Sequence, residues 1–137
     1  YQRVMGKYQL PICPDHIARV GTRIETAYEG MKEYLRQVPS LPTAFFADND
    51  LIAIGAMQAL KECGYDIPKD VSVVGFDNLS FGMVSNPPLT TIHVYKHEMG
   101  ELAVRELVQA IEDPKKVKAK IQVYTDFVER GSVKELS

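Results

Sequence analysis

Apolar residues fall into two rhythms along this chain. From Ile24 to Val38 they recur every third or fourth position, at Ile24, Ala27, Tyr28, Met31, Tyr34, Leu35 and Val38. That spacing predicts a helix with one buried face. Thr22, with Glu25 three residues on, has the pattern of a capping box at its start, and Pro39 ends it. A second helix is predicted from about Leu51 to Cys63, closed by Gly64. Its first half is apolar nearly all round, through Leu51, Ile52, Ile54, Met57 and Leu60. One stripe suffices against a sheet, so the surplus predicts a second buried contact such as another subunit. A third helix sets Gly100, Ala103, Val104, Leu107, Val108 and Ile111 on one face.

The second rhythm is short and nearly continuous. Thr43–Ala47 and Val71–Phe76 are apolar runs suited to strands covered on both faces. Ile121–Val128 alternates instead, with Ile121, Val123 and Phe127 opposite Gln122, Tyr124 and Asp126, as in an edge strand exposed on one side. His16–Gly21 suggests a short strand and Thr90–Val94 an extended segment, while Leu79–Pro88, with Gly82, Asn86, Pro87 and Pro88, suggests loop. Val4 and Tyr8 share the face of a helix tail that Pro11 stops. Strands alternating with helices predict an α/β fold built on a doubly wound, mainly parallel sheet.

Composition narrows the class. The chain has 137 residues, 45% hydrophobic and 25% charged, which fits one folded domain or part of a larger one and not a disordered segment. Lys plus Arg number 16 against 18 acids, a net charge of −2, which argues against these residues gripping nucleic acid themselves. The run Lys115, Lys116, Lys118 and Lys120 follows the turn signal Asp113-Pro114 and fits a solvated loop. No apolar stretch approaches the ~20 residues of a membrane helix, and the chain does not open on a signal-peptide pattern. Cys13 and Cys63 match no metal spacing and fit free thiols, Cys63 within a core.

Ligands of open parallel sheets bind beyond the carboxyl ends of the strands. Two strands here end in polar clusters, one in Asp48-Asn49-Asp50 and the other in Asp77-Asn78. Both are expected to face one crevice. Asn offers an acceptor and two donors and an ionised Asp offers acceptors, which suits a neutral polyhydroxylated ligand such as a sugar. Structural roles stand beside this: Asn49 or Asp50 as a helix cap, Asp77 as the fixer of a turn. Asp48-x-Asp50 offers only part of the roughly six to eight oxygens of a calcium site. His93 and His97 lie four apart with no third ligand in view. There is no G-x-S-x-G elbow, P-loop or G-x-G-x-x-G, and Cys13 has no evident His partner. No catalytic residue, metal or cofactor is assigned.

The residues then show a likeness. Pro42-Thr43-Ala44-Phe45-Phe46-Ala47-Asp48-Asn49-Asp50 with Ala53-Ile54-Gly55-Ala56, then Ile67 to Asn78, then Pro88 to Ile92 with Met99-Gly100, and last Glu129-Arg130-Gly131-Ser132 form an ordered series. The series resembles the effector-binding domain of the lactose/galactose repressor family over nearly the whole chain. The resemblance implies two α/β lobes, similar to periplasmic sugar-binding proteins, behind an N-terminal helix-turn-helix domain that these residues lack. Residues 1–92 and 118–137 would form most of the C-terminal lobe, and 93–117 a segment of the N-terminal lobe. Asn49 and Asp77 would line the effector cleft, Asp50 would cap the helix, and Lys96 is unassigned. An effector-binding Arg would stand just before Tyr1. Ile54, Met57, Met83 and Ser85 would fall on the dimer surface. The whole protein would be a cytoplasmic, homodimeric transcription regulator and not an enzyme. It would bind a small effector, a sugar, with no cofactor and no membrane, and would touch DNA only through the missing domain. Two alternatives are half of an exported sugar-binding protein and a small α/β hydrolase using Asp48, Asp50 or Asp77.

Overall fold

A computed structural model describes residues 1–135. A short helix α1 (Gln2–Lys7) and a 3-10 turn (Pro14–His16) lead into α2 (Ile24–Gln37). Strand β1 (Ala44–Phe46), helix α3 (Asp50–Glu62) and strand β2 (Ser72–Val74) follow. Helix α4 (Ser80–Val84), strand β3 (Thr91–Val94), helix α5 (Lys96–Glu112) and strand β4 (Thr125–Val128) complete the order.

The amphipathic pattern of Ile24–Val38 is realised, although its cap is not the expected one. Thr26, not the Thr22–Glu25 pair, closes the first turn: its hydroxyl accepts from Arg23 N–H at 3.3 Å and donates to Arg23 C=O at 3.2 Å. Helix α3 ends at Gly64, whose φ of +90° suits a residue without Cβ. The two helices cross closely at Gly55. A Cβ there would strike the Ile24 carbonyl and come within 2.9 Å of Ala27 Cβ and Tyr28 N. Around this crossing Met31, Ala53, Ala56, Met57, Ala59 and Leu60 are buried with Val71, Val73 and Leu89. Full burial of a side chain such as Leu60 contributes about 2 kcal/mol.

Strands β1 and β2 are parallel, with Phe46 opposite Val74. That pairing requires a crossover, which α3 provides. Parallel bridges Val74–Thr90 and Asp77–His93 carry the sheet on to β3, and β4 pairs antiparallel with β3. Ser132 fastens the far end. It is fully buried, its hydroxyl donates to Val73 C=O at 2.6 Å, and it accepts from Thr90 N–H at 2.8 Å.

Several expectations are corrected. The sheet is covered on one side within the described residues: Phe45 and Val73 face α2 and α3, while Ala44 and Phe46 on the other face are exposed. The doubly wound arrangement is therefore not seen here, and β1 is not covered on both faces as its apolar run suggested. No strand forms over His16–Gly21, because no ladder partner lies beside it among the described residues. Residues Ile121 to Tyr124 stay outside β4, and α4 interrupts the expected loop. Met57, expected on a dimer surface, is 3% exposed and belongs to the core, so this chain does not offer it to a partner. Cys63, expected in the core, is exposed. No helix among the described residues is long and apolar enough to cross a membrane. The last two residues of the 118–137 segment lie outside the described residues.

Candidate functional site

Register places the two polar clusters together. Asn49 lies three residues beyond the last residue of β1, and Asp77 three beyond the last residue of β2. Since the strands are parallel and in step, both emerge at the same end of the sheet. Two backbone bonds continue the alignment past the strands: Ala47 N–H donates to Val74 C=O, and Asp50 N–H to Phe76 C=O, each at 2.8 Å. Neither Asn49 nor Asp77 turns into the apolar core; both are half-buried.

Asn49 is the helix cap. Its Oδ1 accepts from Ile52 N–H at 2.8 Å, in the extended backbone conformation of an N-cap. This reverses the expected assignment of the cap to Asp50. The amide nitrogen of Asn49 makes no hydrogen bond among the described residues, which leaves its two donors available. Asp50 has a different task. It is fully buried, with Oδ2 accepting from Leu79 N–H at 2.6 Å and Oδ1 from the Thr91 hydroxyl at 2.5 Å. One carboxylate thus joins the start of α3 to the N-cap of α4 and to β3. Gly75 makes room for it, since a Cβ there would collide with Asp50 Oδ1 and reach within 2.9 Å of Leu89 Cδ2.

Asp77 and Asn78 both have positive φ, +111° and +54°. Asn tolerates the left-handed region, but +111° is strained for an Asp, and strain of this kind concentrates at functional positions. The Asp77 N–H donates to Ile92 C=O at 2.9 Å, which holds the residue in place. Its side chain does not fold back on its own turn. Instead Lys96 Nζ lies 3.3 Å from Oδ1 and donates to the Asp77 carbonyl at 3.0 Å. Beside it, Arg130 donates to Leu89 C=O at 2.7 Å and to Asn78 Oδ1 at 2.6 Å, and the Asn78 amide meets His93 Nδ1 at 3.0 Å. With the amide donating, Nδ1 is the bare nitrogen of His93. Tyr95 stacks edge-on against His93 and bonds Asp126, whose carboxylate raises the phenol above its ordinary range. Asp48, beyond β1, and the Phe46 ring at its end are exposed.

The metal candidates do not assemble. Asp50 is committed to Leu79 and Thr91, His93 to Asn78, and His97 is exposed beside Glu101 at 3.6 Å. No group of three or more metal-ligating side chains occurs among the described residues. On the proposed dimer surface, Met83 is exposed, Ile54 is half-buried, and Ser85 directs its hydroxyl to the carbonyls of Gly82 and Pro87, each at 2.9 Å. Sequence reasoning missed three residues that shape the rim: Asp50 as a buried tie, Lys96 as the counter-charge of Asp77, and Arg130 as the support of Asn78. Asp50 and Arg130 left a signal, as parts of the Pro42–Asp50 and Glu129–Ser132 motifs, but not of these roles.

A one-sided parallel sheet with a polar rim at its carboxyl end is the framework of a ligand-binding lobe. The sequence pattern of the periplasmic binding protein-like domain matches residues 1–133, and the chain belongs to that family. Its relatives narrow the branch. The HTH-type transcriptional repressor PurR of Histophilus somni (strain 129Pt) is 39% identical over 99% of this chain and 40% of its own length. A lactose-repressor-family regulator from Enterococcus faecium with bound ribose is 28% identical, with a TM-score of 0.81 over 99% of this chain and 49% of that one. The lac repressor dimer bound to operator and the anti-inducer ONPF is 27% identical, with a TM-score of 0.84 over 96% of this chain and 45% of that one. The chain is thus a segment of the effector-binding domain of the lactose-repressor family, a family of regulators and not of enzymes. It spans about two-fifths of the length of the curated relatives it matches.

Proposed function

We propose that these residues are the later part of the effector-binding domain of a transcriptional repressor, and that Asn49 and Asp77 bind its small polar effector. In this reading residues 1–92 and 118–137 make most of the C-terminal lobe, and 93–117 belongs with the N-terminal lobe. The complete domain is a doubly wound, two-lobed structure with the effector between lobes. The protein acts in the cytoplasm as a homodimer, with Ile54, Met83 and Ser85 at the interface, and reaches DNA through a helix-turn-helix domain outside these residues. An effector that prefers one arrangement of the lobes shifts the balance by its difference in affinity for the two.

The observation that carries this reading is the shared rim. Asn49 and Asp77 leave parallel strands at matching positions, tied by the bond from Asp50 N–H to Phe76 C=O. Together they offer two amide donors and a carboxylate acceptor, which suits a sugar; the Enterococcus faecium regulator holds ribose. A second ligand class has its own support. The exposed Phe46 ring at the end of β1 offers a flat apolar face, as stacking on a nucleobase requires. Calorimetric titration of the full-length protein with ribose, other monosaccharides and free nucleobases identifies the class. Asp77→Ala is expected to weaken the binding class about tenfold or more. Asn49→Ala weakens it less and also costs about 1 kcal/mol of stability through the lost cap. Unchanged affinity in both variants removes the site assignment.

A further inference from the structure

We propose that Arg130 is a positioning residue of the effector site, a role that rests on Asp77 binding the effector. It clamps the Asn78 side chain and so holds Asp77 in the backbone conformation that presents its carboxylate. Asp77 has a φ of +111° and Asn78 one of +54°. A residue with a Cβ persists at +111° only where its surroundings over-determine it. The Asp77 side chain does not supply that hold. Its Oδ1 meets the half-exposed Lys96 at 3.3 Å, and its Oδ2 makes no hydrogen bond among the described residues.

The hold comes from the neighbours. The bond from Asp77 N–H to Ile92 C=O, at 2.9 Å, fixes one end of the turn. At the other end the Asn78 N–H reaches the Thr91 hydroxyl only at 3.4 Å, a weak contact. The Asn78 side chain is gripped more firmly, because both ends of its amide are engaged. Arg130 Nη2 donates to Oδ1 at 2.6 Å, and the amide nitrogen donates to His93 Nδ1 at 3.0 Å. The bond from Arg130 is charge-assisted, roughly twice as strong as a neutral one. It also sets the amide the right way round: a guanidinium only donates, so Oδ1 must face it and the nitrogen must face His93. Asn78 cannot leave +54° without breaking both bonds, and Asp77 is tied to it through the shared peptide.

Arg130 itself stands on a rigid support, as a side chain that sets another's position must. Its own N–H donates to Thr90 Oγ1 at 2.9 Å, and the next residue, Gly131, donates to Pro88 C=O at 2.9 Å. The buried Ser132 then accepts from Thr90 N–H at 2.8 Å, so residues 130–132 are laced to residues 88–90. The second arm of the guanidinium, Nη1, donates to the carbonyl of the fully buried Leu89 at 2.7 Å. Gly82 of α4 flanks that arm, and a Cβ there would lie 3.7 Å from it. With both arms engaged inside the lobe, Arg130 acts on the effector through Asn78 and Asp77 and not by contact. A lysine carries the same charge without the fork, so it cannot bridge Leu89 and Asn78 together.

Two readouts on the full-length protein test this. The first needs no ligand. In Arg130→Met, hydrogen exchange at the Asp77 and Asn78 amides should speed up about tenfold while the amides of α3 keep their protection. Arg130→Lys should restore only part of the loss. The second is calorimetry with ribose and free nucleobases as probes. Arg130→Met should weaken the probe that binds about tenfold, and should change nothing further in an Asp77→Ala background, the signature of one residue acting through another. Asn78→Gly, which allows +54° and removes the clamp, should reproduce both effects and takes the place of Arg130→Met if that variant does not fold. Unchanged exchange at Asp77 and Asn78 overturns the proposal, as does an affinity loss that persists in full in the Asp77→Ala background. An Asp77→Ala variant that binds as well as the native protein overturns the effector-site assignment, and the role of Arg130 with it. A weakened Asp77→Ala beside an unweakened Arg130→Met overturns the role of Arg130 alone.

Discussion

Helices α3 and α5 both carry apolar residues at helical spacing, and they meet opposite fates. Seven of the 13 residues of α3 are buried, whereas none of the 17 in α5 is. Val104, Leu107, Val108 and Ile111 of α5 stand exposed along one side. The difference lies in what each helix finds nearby. Helix α3 has α2 at backbone distance through Gly55, a side-chain cap in Asn49 and a buried anchor in Asp50. Helix α5 begins at Tyr95 with no side-chain cap, and no other element packs closely on it among the described residues. Periodicity thus says which face of a helix wants burial and not what will cover it. The stability of a helix in a protein comes mainly from that cover.

Substitutions that act on one helix and not the other sharpen the contrast. The largest effect is expected for Asp50→Ala, which strands the Leu79 N–H and the Thr91 hydroxyl in a fully buried position. Urea unfolding should record a loss of about 3 kcal/mol, with Asp50→Asn losing less because it keeps an acceptor. A loss below about 1 kcal/mol would show that the tie is dispensable. Next comes a pair of opposite sign. Gly55→Ala forces a Cβ into the backbone of α2 and should cost about 2 kcal/mol. Gly100→Ala in α5 meets nothing within 4 Å and should stabilise by about 0.5 to 1 kcal/mol through helix propensity. Equal responses at the two glycines would break the comparison.

The smallest effect concerns the outer edge of the α2–α3 pair. Glu62 receives hydrogen bonds from Lys32, at 2.7 Å, and from Tyr28. Those bonds hold its carboxyl below the ordinary value of 4.5, Lys32 contributing most. A group depressed in the folded state stabilises above its ordinary range, and that contribution fades as pH falls through the folded value. Acid titration of stability should therefore be slightly shallower in Glu62→Gln than in the native chain. The pair is solvent-exposed, so salt should erase the difference.

The sequence made legible whatever depends on local pattern. Helices α2, α3 and α5, the parallel strands β1 and β2, and the turn at Gly64 all follow from spacing and punctuation. So does the shared rim, because two apolar runs ending in Asp and Asn must end alike if their strands are parallel. What escaped is what distant residues decide. Nothing in Asp48-Asn49-Asp50 tells which side chain caps and which is buried; the position of Thr91, 41 residues away, decides it. Met57 reads as surplus until the core that encloses it is seen. Lys96 reads as an ordinary surface cation, and its role beside Asp77 exists only because β3 delivers it there.

Ser132 has a consequence for how the protein is made. Its hydroxyl joins Val73 to Thr90, partners 59 and 42 residues earlier in the chain. Contacts of such separation slow folding, because a long loop must close before they form. During translation the α2–α3 pair can assemble while the ribosome is still adding later residues. The sheet cannot lock until Ser132 has emerged, and until then the growing chain leaves the open side of β2 for chaperones to shield.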